Sequence, residues 1–400
     1  MKKYWLVLHQ DTFLWTKDNE GLVYNASDKH SCFRFANQGT IARITNDLLQ
    51  TENLYRSLVT EEELATKEVK EWVDTLLAFA CGELVDIEDK TRVAVSLKPI
   101  LKIQDTVAFY QVAHENHTDG KIIQNLLRLV IHLNGSDYGN DQFAKQIVFP
   151  KQHTGIINES SAIKEFIMSM GKPNFLIEIV LVGNIWEYPE YENLIDFLQS
   201  LSIHISIYCT EEDFMKHNGS ILQTDLISYH PIKTNYNTSC SNDKSLSYHF
   251  VVSTEYEYDI ACETIEKENL RNAQITPIYT GDNHSFFESL VYVTEEDIQD
   301  FQLSKREIFA RQAININYFG TLIVDMDGSV YGNLNEEALG TMDDGLYMLT
   351  YNEMIRGRSW LRIRDEKPCC DCLYQWLCPS PSNYEQVIGK PNLCHIKKNK

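Results

Sequence analysis

The chain has little positive charge and no long hydrophobic run. Its 36 lysines and arginines are outnumbered by 57 aspartates and glutamates, for a net charge of −21 and a pI near 5.0. So acidic a protein argues against nucleic acid or anionic membrane as its main partner, since both need basic surface. Apolar runs such as 175–182 are strand-sized, far short of the roughly 20 residues that cross a bilayer. At the N-terminus, His9, Gln10 and Asp11 arrive before a signal-peptide apolar region can form, so the expected location is cytoplasmic. Familiar catalytic texts are missing too. There is no G-x-S-x-G elbow, no phosphate-binding glycine loop and no H-E-x2-H among the 12 histidines, and His114 with His117 alone reads as surface. No internal repeat or low-complexity segment stands out. What remains is the composition of a globular protein, 43% hydrophobic and 23% charged, long enough at 400 residues for two or three domains.

Cysteine is unevenly spread. Cys32, Cys81, Cys209, Cys240 and Cys262 stand singly, whereas Cys369, Cys370, Cys372, Cys378 and Cys394 crowd the tail. In a reducing compartment such crowding favours a metal or iron–sulfur site over disulfides. Cys369, Cys372 and Cys378 read C-x2-C-x5-C, with Cys394 sixteen residues on. Four soft thiolates of this kind hold a tetrahedral zinc ion or a [4Fe–4S] cluster. Cys370 is left over, and an unmetallated thiol cluster is the bland alternative.

Three textures follow one another. Residues 1–85 begin with β-rich text at 4–8 and 12–15, a turn at Asp18-Asn19-Glu20-Gly21, and a strand at 22–24. A capping box of Thr60 and Glu63 then starts a helix on Leu64, Val69, Trp72, Val73, Leu76, Leu77 and Phe79, ended by Gly82. A small sheet followed by helices suggests a winged-helix-like module. Residues 93–300 alternate strands at 126–133, 175–182, 203–208, 248–253 and 275–279 with helices at 160–170, 190–201 and 256–270. That alternation implies parallel strands with crossover helices, in a barrel or an open sheet. Residues 301–400 open with a hairpin turning at Asp327-Gly328. Asp325 and Asp327 lack the third acidic ligand of a calcium loop, so the turn reading prevails.

The tail resembles the SPASM domain of radical-SAM peptide maturases, in which C-x2-C-x5-C is followed by x3-C and one later cysteine. The resemblance implies two auxiliary [4Fe–4S] clusters, one built largely from an upstream G-x4-C hairpin. Here Gly328 is followed at that spacing by Asn333, Ser382 stands at the x3 position, and no cysteine lies between Cys262 and Cys369. One ligand set is lost while Cys369, Cys372, Cys378 and Cys394 keep the other. A radical-SAM enzyme also carries C-x3-C-x2-C after its first barrel strand, three thiolates leaving one iron open for S-adenosylmethionine. The matching stretch, Asn134-Gly135-Ser136-Asp137-Tyr138-Gly139-Asn140-Asp141, has no cysteine. Where the family has a Gly-Gly-Glu-Pro-type motif, the chain reads Val182-Gly183-Asn184-Ile185-Trp186-Glu187-Tyr188-Pro189.

The tail text Leu377-Cys378-Pro379-Ser380-Pro381-Ser382 further resembles pseudo-radical-SAM proteins encoded in Bacteroidales beside a genuine radical-SAM/SPASM maturase and a small precursor peptide of GG type. The fold implied is α/β: a winged-helix-like leader-peptide recognition domain at 1–85, a degenerate partial (βα) radical-SAM barrel at 93–300, and a SPASM-like cysteine-rich domain at 301–400. Phe33, Phe35 and the helix 61–79 would border the peptide groove. The implied function is a non-catalytic partner binding precursor peptide, the maturase, or both, with one [4Fe–4S] auxiliary cluster and no S-adenosylmethionine. The alternatives are an iron–sulfur redox enzyme and a zinc-stapled scaffold. Asp137, Glu178 and Glu187 fall at the expected barrel mouth with no partner to give them a role. Arg356, Arg358, Arg362 and Arg364 form a basic stretch that could face an acidic partner or be a solvated face.

Overall fold

Short alternating segments at the N-terminus build two small antiparallel sheets. The computed structural model describes residues 2–27, 31–101, 105–118, 120–171, 175–217, 224–236, 240 and 246–396. The first six strands are β1 (Lys3–Leu8), β2 (Thr12–Lys17), β3 (Glu20–Asn25), β4 (Cys32–Ala36), β5 (Arg56–Thr60) and β6 (Gly82–Asp86). They pair in the orders β5-β1-β6 and β2-β3-β4. Asp18 turns the β2–β3 hairpin from the left-handed region, at φ 51°, which aspartate tolerates and a tight hairpin needs.

Helices α1 (Gly39–Leu49), α2 (Glu61–Leu64) and α3 (Lys67–Ala78) pack on these sheets. α1 buries Ile41, Ile44, Thr45 and Leu48, and α3 buries Val69, Trp72, Val73 and Leu76. Both stripes have the i, i+3, i+4, i+7 spacing of a core-facing helix. They close over Leu6, Leu8, Leu14 and Val23. The Thr60/Glu63 capping box forms as expected, the Thr60 N–H donating to Glu63 Oε2 at 2.8 Å. The helix ends earlier than expected. α3 stops at Ala78, Ala80 turns at φ 52°, and Gly82 opens β6 instead. Glycine is needed there because a Cβ would stand 2.5 Å from the Val7 carbonyl oxygen.

The middle of the chain supplies parallel strands β7 (Arg128–Gly135), β8 (Glu178–Gly183), β9 (His204–Thr210), β10 (Ile227–Lys233), β11 (His249–Val252) and β12 (Gln274–Pro277). Beyond them come β13 (Thr321–Val324), β14 (Ser329–Tyr331) and β15 (Gly340–Thr341). All nine share one sheet, ordered β12-β11-β10-β9-β8-β7-β13-β14-β15. Among the described residues it has two edges and is not closed. It does curl, because Gln274 and Thr276 of β12 line the same cavity, of about 450 Å³, as Thr321 and Ile323 of β13. The architecture is a partial barrel. Crossover helices Ser160–Met168, Tyr191–Ser200 and Glu255–Glu268 fall where the apolar spacing places them.

Strand β10 has no counterpart in the sequence pattern, because Pro231 sits inside it and proline argues against a paired strand. β11 pairs only with Ile232 and Lys233, after the proline, which leaves Pro231 without a ladder on that side. The β13–β14 hairpin turns at Asp327-Gly328 and is continuous with the barrel sheet through parallel pairing of β13 with β7. Asp325 is held by Lys151 at 2.5 Å, and Asp327 accepts the Ser329 N–H.

The N-terminal sheet rests on the tail. Phe13, Leu22 and Tyr24 share a core with Ile298, Leu303, Ile308, Leu373, Tyr374 and Leu377, and Tyr24 donates to the Leu303 carbonyl at 2.8 Å. Among the described residues no helix is long and apolar enough to cross a membrane.

Candidate cysteine cavity and barrel mouth

The tail cysteines reach one place from three short pieces of chain. Cys369 and Cys372 flank a single tight turn, the Cys372 N–H donating to the Cys369 carbonyl at 3.0 Å. Cys378 follows two turns on, its N–H bound to the Tyr374 carbonyl at 2.9 Å. Cys394 returns on an extended segment bridged to Val293. All four line one cavity of about 140 Å³, together with Arg364, Gln375, Leu393 and Ile396. Cys370 does not line it, and its thiol faces Asp371 at 3.6 Å.

Arg364 organises the wall. Its guanidinium donates to the Pro379 carbonyl at 2.5 Å, to Glu385 at 2.8 Å and to Cys369 Sγ at 3.7 Å. Burial pushes the Cys378 thiol up to about 12, with Arg364 opposing and the neighbouring thiols adding to the rise. Cys369 is raised for the same first reason. Among the described residues no three His, Cys, Asp or Glu side chains converge to hold a single metal ion. The four thiols stand around a volume instead. It is about ten times the 10–15 Å³ that one water needs.

The positions where the resemblance puts the lost ligands are filled by hydrogen bonds. Asn333 is buried and donates to Asn383 at 2.5 Å and to Gln386 at 3.1 Å. The Ser382 N–H and hydroxyl both donate to Glu385, at 2.5 and 2.6 Å, and Glu385 in turn holds Arg364. The basic stretch is not one face. Arg364 is buried in this network, Arg362 and Arg356 donate to the Ser382 and Ala338 carbonyls, and Arg358 pairs with Glu337.

At the C-terminal ends of the barrel strands, where βα folds place their active sites, the loops are tied to one another. Asp213, 1% exposed, accepts from Ser136 at 2.5 Å, Thr210 at 2.7 Å and Asn184 at 3.2 Å. Asn134 donates to the Asn184 carbonyl at 2.8 Å. The loop after β7 also presses on 150–152: a Cβ on Gly139 would stand 2.0 Å from the Lys151 carbonyl oxygen. Just beyond, Lys233 and Glu211 form a fully buried ion pair at 2.5 Å. Of the carboxylates expected at this mouth, Asp137 and Glu187 are exposed. Glu178 is not at the mouth at all: it opens β8 at the opposite end and pairs with Arg128 at 2.7 Å.

Two further places matter. Phe33 and Phe35 of β4 meet the α3 side, with ring centroids 5.5 Å apart for Phe33–Phe79 and 5.3 Å for Phe35–Trp72. The residues expected to border a groove are thus brought together. The barrel lumen holds a group that no motif announced. His230 and His249 face each other at 3.1 Å, Tyr208 stacks on His230 at 4.4 Å, and burial lowers both imidazoles to about 4. His132 is likewise lowered to about 4, chiefly by burial. They escape a motif search because parallel strands, not local spacing, juxtapose them. The available signal was polar residues at period two between apolar ones, as in His204, Ser206 and Tyr208 of β9.

No protein-family model and no curated protein matches the chain. Among solved structures it is similar to Streptococcus suis SuiB bound to precursor peptide SuiA, at 8% identity and a TM-score of 0.45, covering 98% of this chain and 100% of that one. It is also similar to SuiB bound to S-adenosylmethionine, at 10% identity, a TM-score of 0.47 and the same coverage. BtrN in complex with AdoMet and 2-DOIA matches at 9% identity and a TM-score of 0.28, over 58% of this chain and 87% of that one.

Proposed function

We propose that the chain is a non-catalytic, pseudo-radical-SAM partner in ribosomal peptide modification, binding a small precursor peptide and a radical-SAM/SPASM maturase. The observation that carries the reading is the contrast between its two chemical positions. At the barrel mouth the loop 134–141 has no thiol and is tied down by Asp213. In the tail four cysteines still line one cavity. An iron left open for S-adenosylmethionine needs three thiolates at the first position, and none is there. Phe33, Phe35, Trp72 and Phe79 pack together where β4 meets the α3 side, next to the free edge of β4, to which an extended peptide would add as a strand.

Cys369, Cys372, Cys378 and Cys394 would hold the tail group, with Arg364 donating to Cys369. Four thiols spaced around a volume fit a [4Fe–4S] cluster better than a single zinc ion, which needs its sulfurs at about 2.3 Å from one point. Such a cluster supplies one-electron transfer or a structural staple. The test is anaerobic purification with iron and sulfide analysis, alongside Cys369→Ala/Cys372→Ala, and co-purification with the neighbouring maturase. About four iron and four sulfide per chain, lost in the variant, with the maturase retained, supports the reading. One zinc and no maturase overturns it in favour of a zinc-stapled scaffold.

A further inference from the structure

The sheet β2-β3-β4 has a second free edge, and it is built differently from the first. Among the described residues β2 pairs with β3 alone. A cavity of about 370 Å³ runs beside it, lined by Phe13, Leu14, Trp15, Thr16 and Lys17. Side chains of a strand alternate between faces, so a cavity over one face would touch every second residue. Contact with five in a row places it along the strand's edge. Its volume is within the roughly 300–1,000 Å³ of ligand pockets. The far wall comes from 98–101 and from Cys372, Leu373, Gln375 and Trp376 of the tail.

Charge marks the occupant. The chain has 57 carboxylate side chains against 36 cations, yet the cavity is lined by two lysines and no acidic residue. Lys17 donates to the Cys370 carbonyl at 2.8 Å and Lys98 to the Leu49 carbonyl at 3.1 Å. Each ammonium has three donors, and no carboxylate is paired with either among the described residues. The cleft is lined by Trp15 and Trp376 and runs beside the β2 edge beyond Thr12, whose outer groups are already bonded to His9 and Tyr55. Its two cations are complementary to an extended peptide with carboxylates between apolar side chains.

We infer that an acidic, partly apolar peptide segment adds as a strand to the outer edge of β2, its carboxylates meeting Lys17 and Lys98. The inference rests on the peptide-binding reading above but assigns a second site, on the opposite edge of the sheet from the Phe33/Phe35 groove. Cys372 and Gln375 line this cavity and the cysteine cavity alike. A peptide held here therefore lies against Cys372, a member of the thiol set.

The test is fluorescence anisotropy of a fluorescein-labelled ten-residue peptide alternating Glu and Leu, titrated with the full chain, with K17Q/K98Q and with F33A/F35A. A matched peptide alternating Gln and Leu is the charge control. Expected are at least tenfold weaker binding by K17Q/K98Q and at least tenfold weaker binding of the Gln peptide, with any loss in F33A/F35A smaller than that in K17Q/K98Q. Raising salt from 50 to 500 mM should weaken the Glu peptide severalfold. The inference is overturned by equal binding of the two peptides, by K17Q/K98Q within twofold of the parent, or by no binding at all. Loss in F33A/F35A alone would remove this site while leaving the groove at β4 standing.

Discussion

Replacing Asp213 by alanine tests whether the barrel mouth is closed by its own side chains. Three donors converge on this carboxylate, from Ser136, Thr210 and Asn184 at 2.5, 2.7 and 3.2 Å. Hydrogen bonds to a charged group contribute about 1.5–3 kcal/mol each, and donors left unpaired in a buried place cost about 1–3 kcal/mol. The three are not additive, since released loops take up water. A net loss of about 3 kcal/mol in local opening free energy follows, or about 100-fold at 1.4 kcal/mol per decade. The assay is amide hydrogen exchange over 133–141 and 182–188, whose N–H groups on Ser136 and Asn184 bond to the Lys151 and Gly135 carbonyls. Exchange there should rise about 100-fold while the N-terminal sheets stay protected, and D213N, keeping one acceptor oxygen, should fall between. A folded D213A variant whose exchange in both segments is within threefold of the parent would refute the reasoning.

Other expectations follow from the same contacts. R364Q leaves Glu385, 2% exposed, buried without its partner. It should cost about 3–5 kcal/mol in thermal unfolding, with E385Q in the same chain recovering most of it. Cys370 lies outside the cysteine cavity, so C370A should retain its full iron while C378A loses it, read as iron per chain. His132, His230 and His249 are each lowered by burial to about 4 from 6.5. Their protonation therefore favours the unfolded chain. Stability should be fully present above pH 6.5 and fall as pH drops from 6.5 towards 4, and H249N should flatten that decline in a melting-temperature series.

Much of the barrel was legible because its strands carry apolar runs or alternating apolar text and its helices apolar spacing: Ile179, Leu181, Ile205 and Ile207 are all buried. The exception is β10, where Pro231 and His230 hide a strand that only its neighbours β9 and β11 make evident. Helix boundaries slipped where tertiary contacts overrule local signals, as at Gly82, which serves the approach of β6 to β1 rather than a helix end. In the tail, spacing alone singled out Cys369, Cys372, Cys378 and Cys394 and set Cys370 aside. Spacing could not show Arg364 reaching Cys369 or Glu385 holding Arg364, because those partners meet only in three dimensions. Asp213 was invisible for the same reason: its donors come from 136, 184 and 210.

The central claim, that the chain does no radical chemistry of its own, is tested most directly by product analysis. The iron- and sulfide-reconstituted chain is incubated anaerobically with S-adenosylmethionine and dithionite, and 5′-deoxyadenosine is measured. The account predicts none above the level of C369A/C372A, because the loop 134–141 offers no thiolate to an open iron. Enzyme-dependent 5′-deoxyadenosine formation would contradict it.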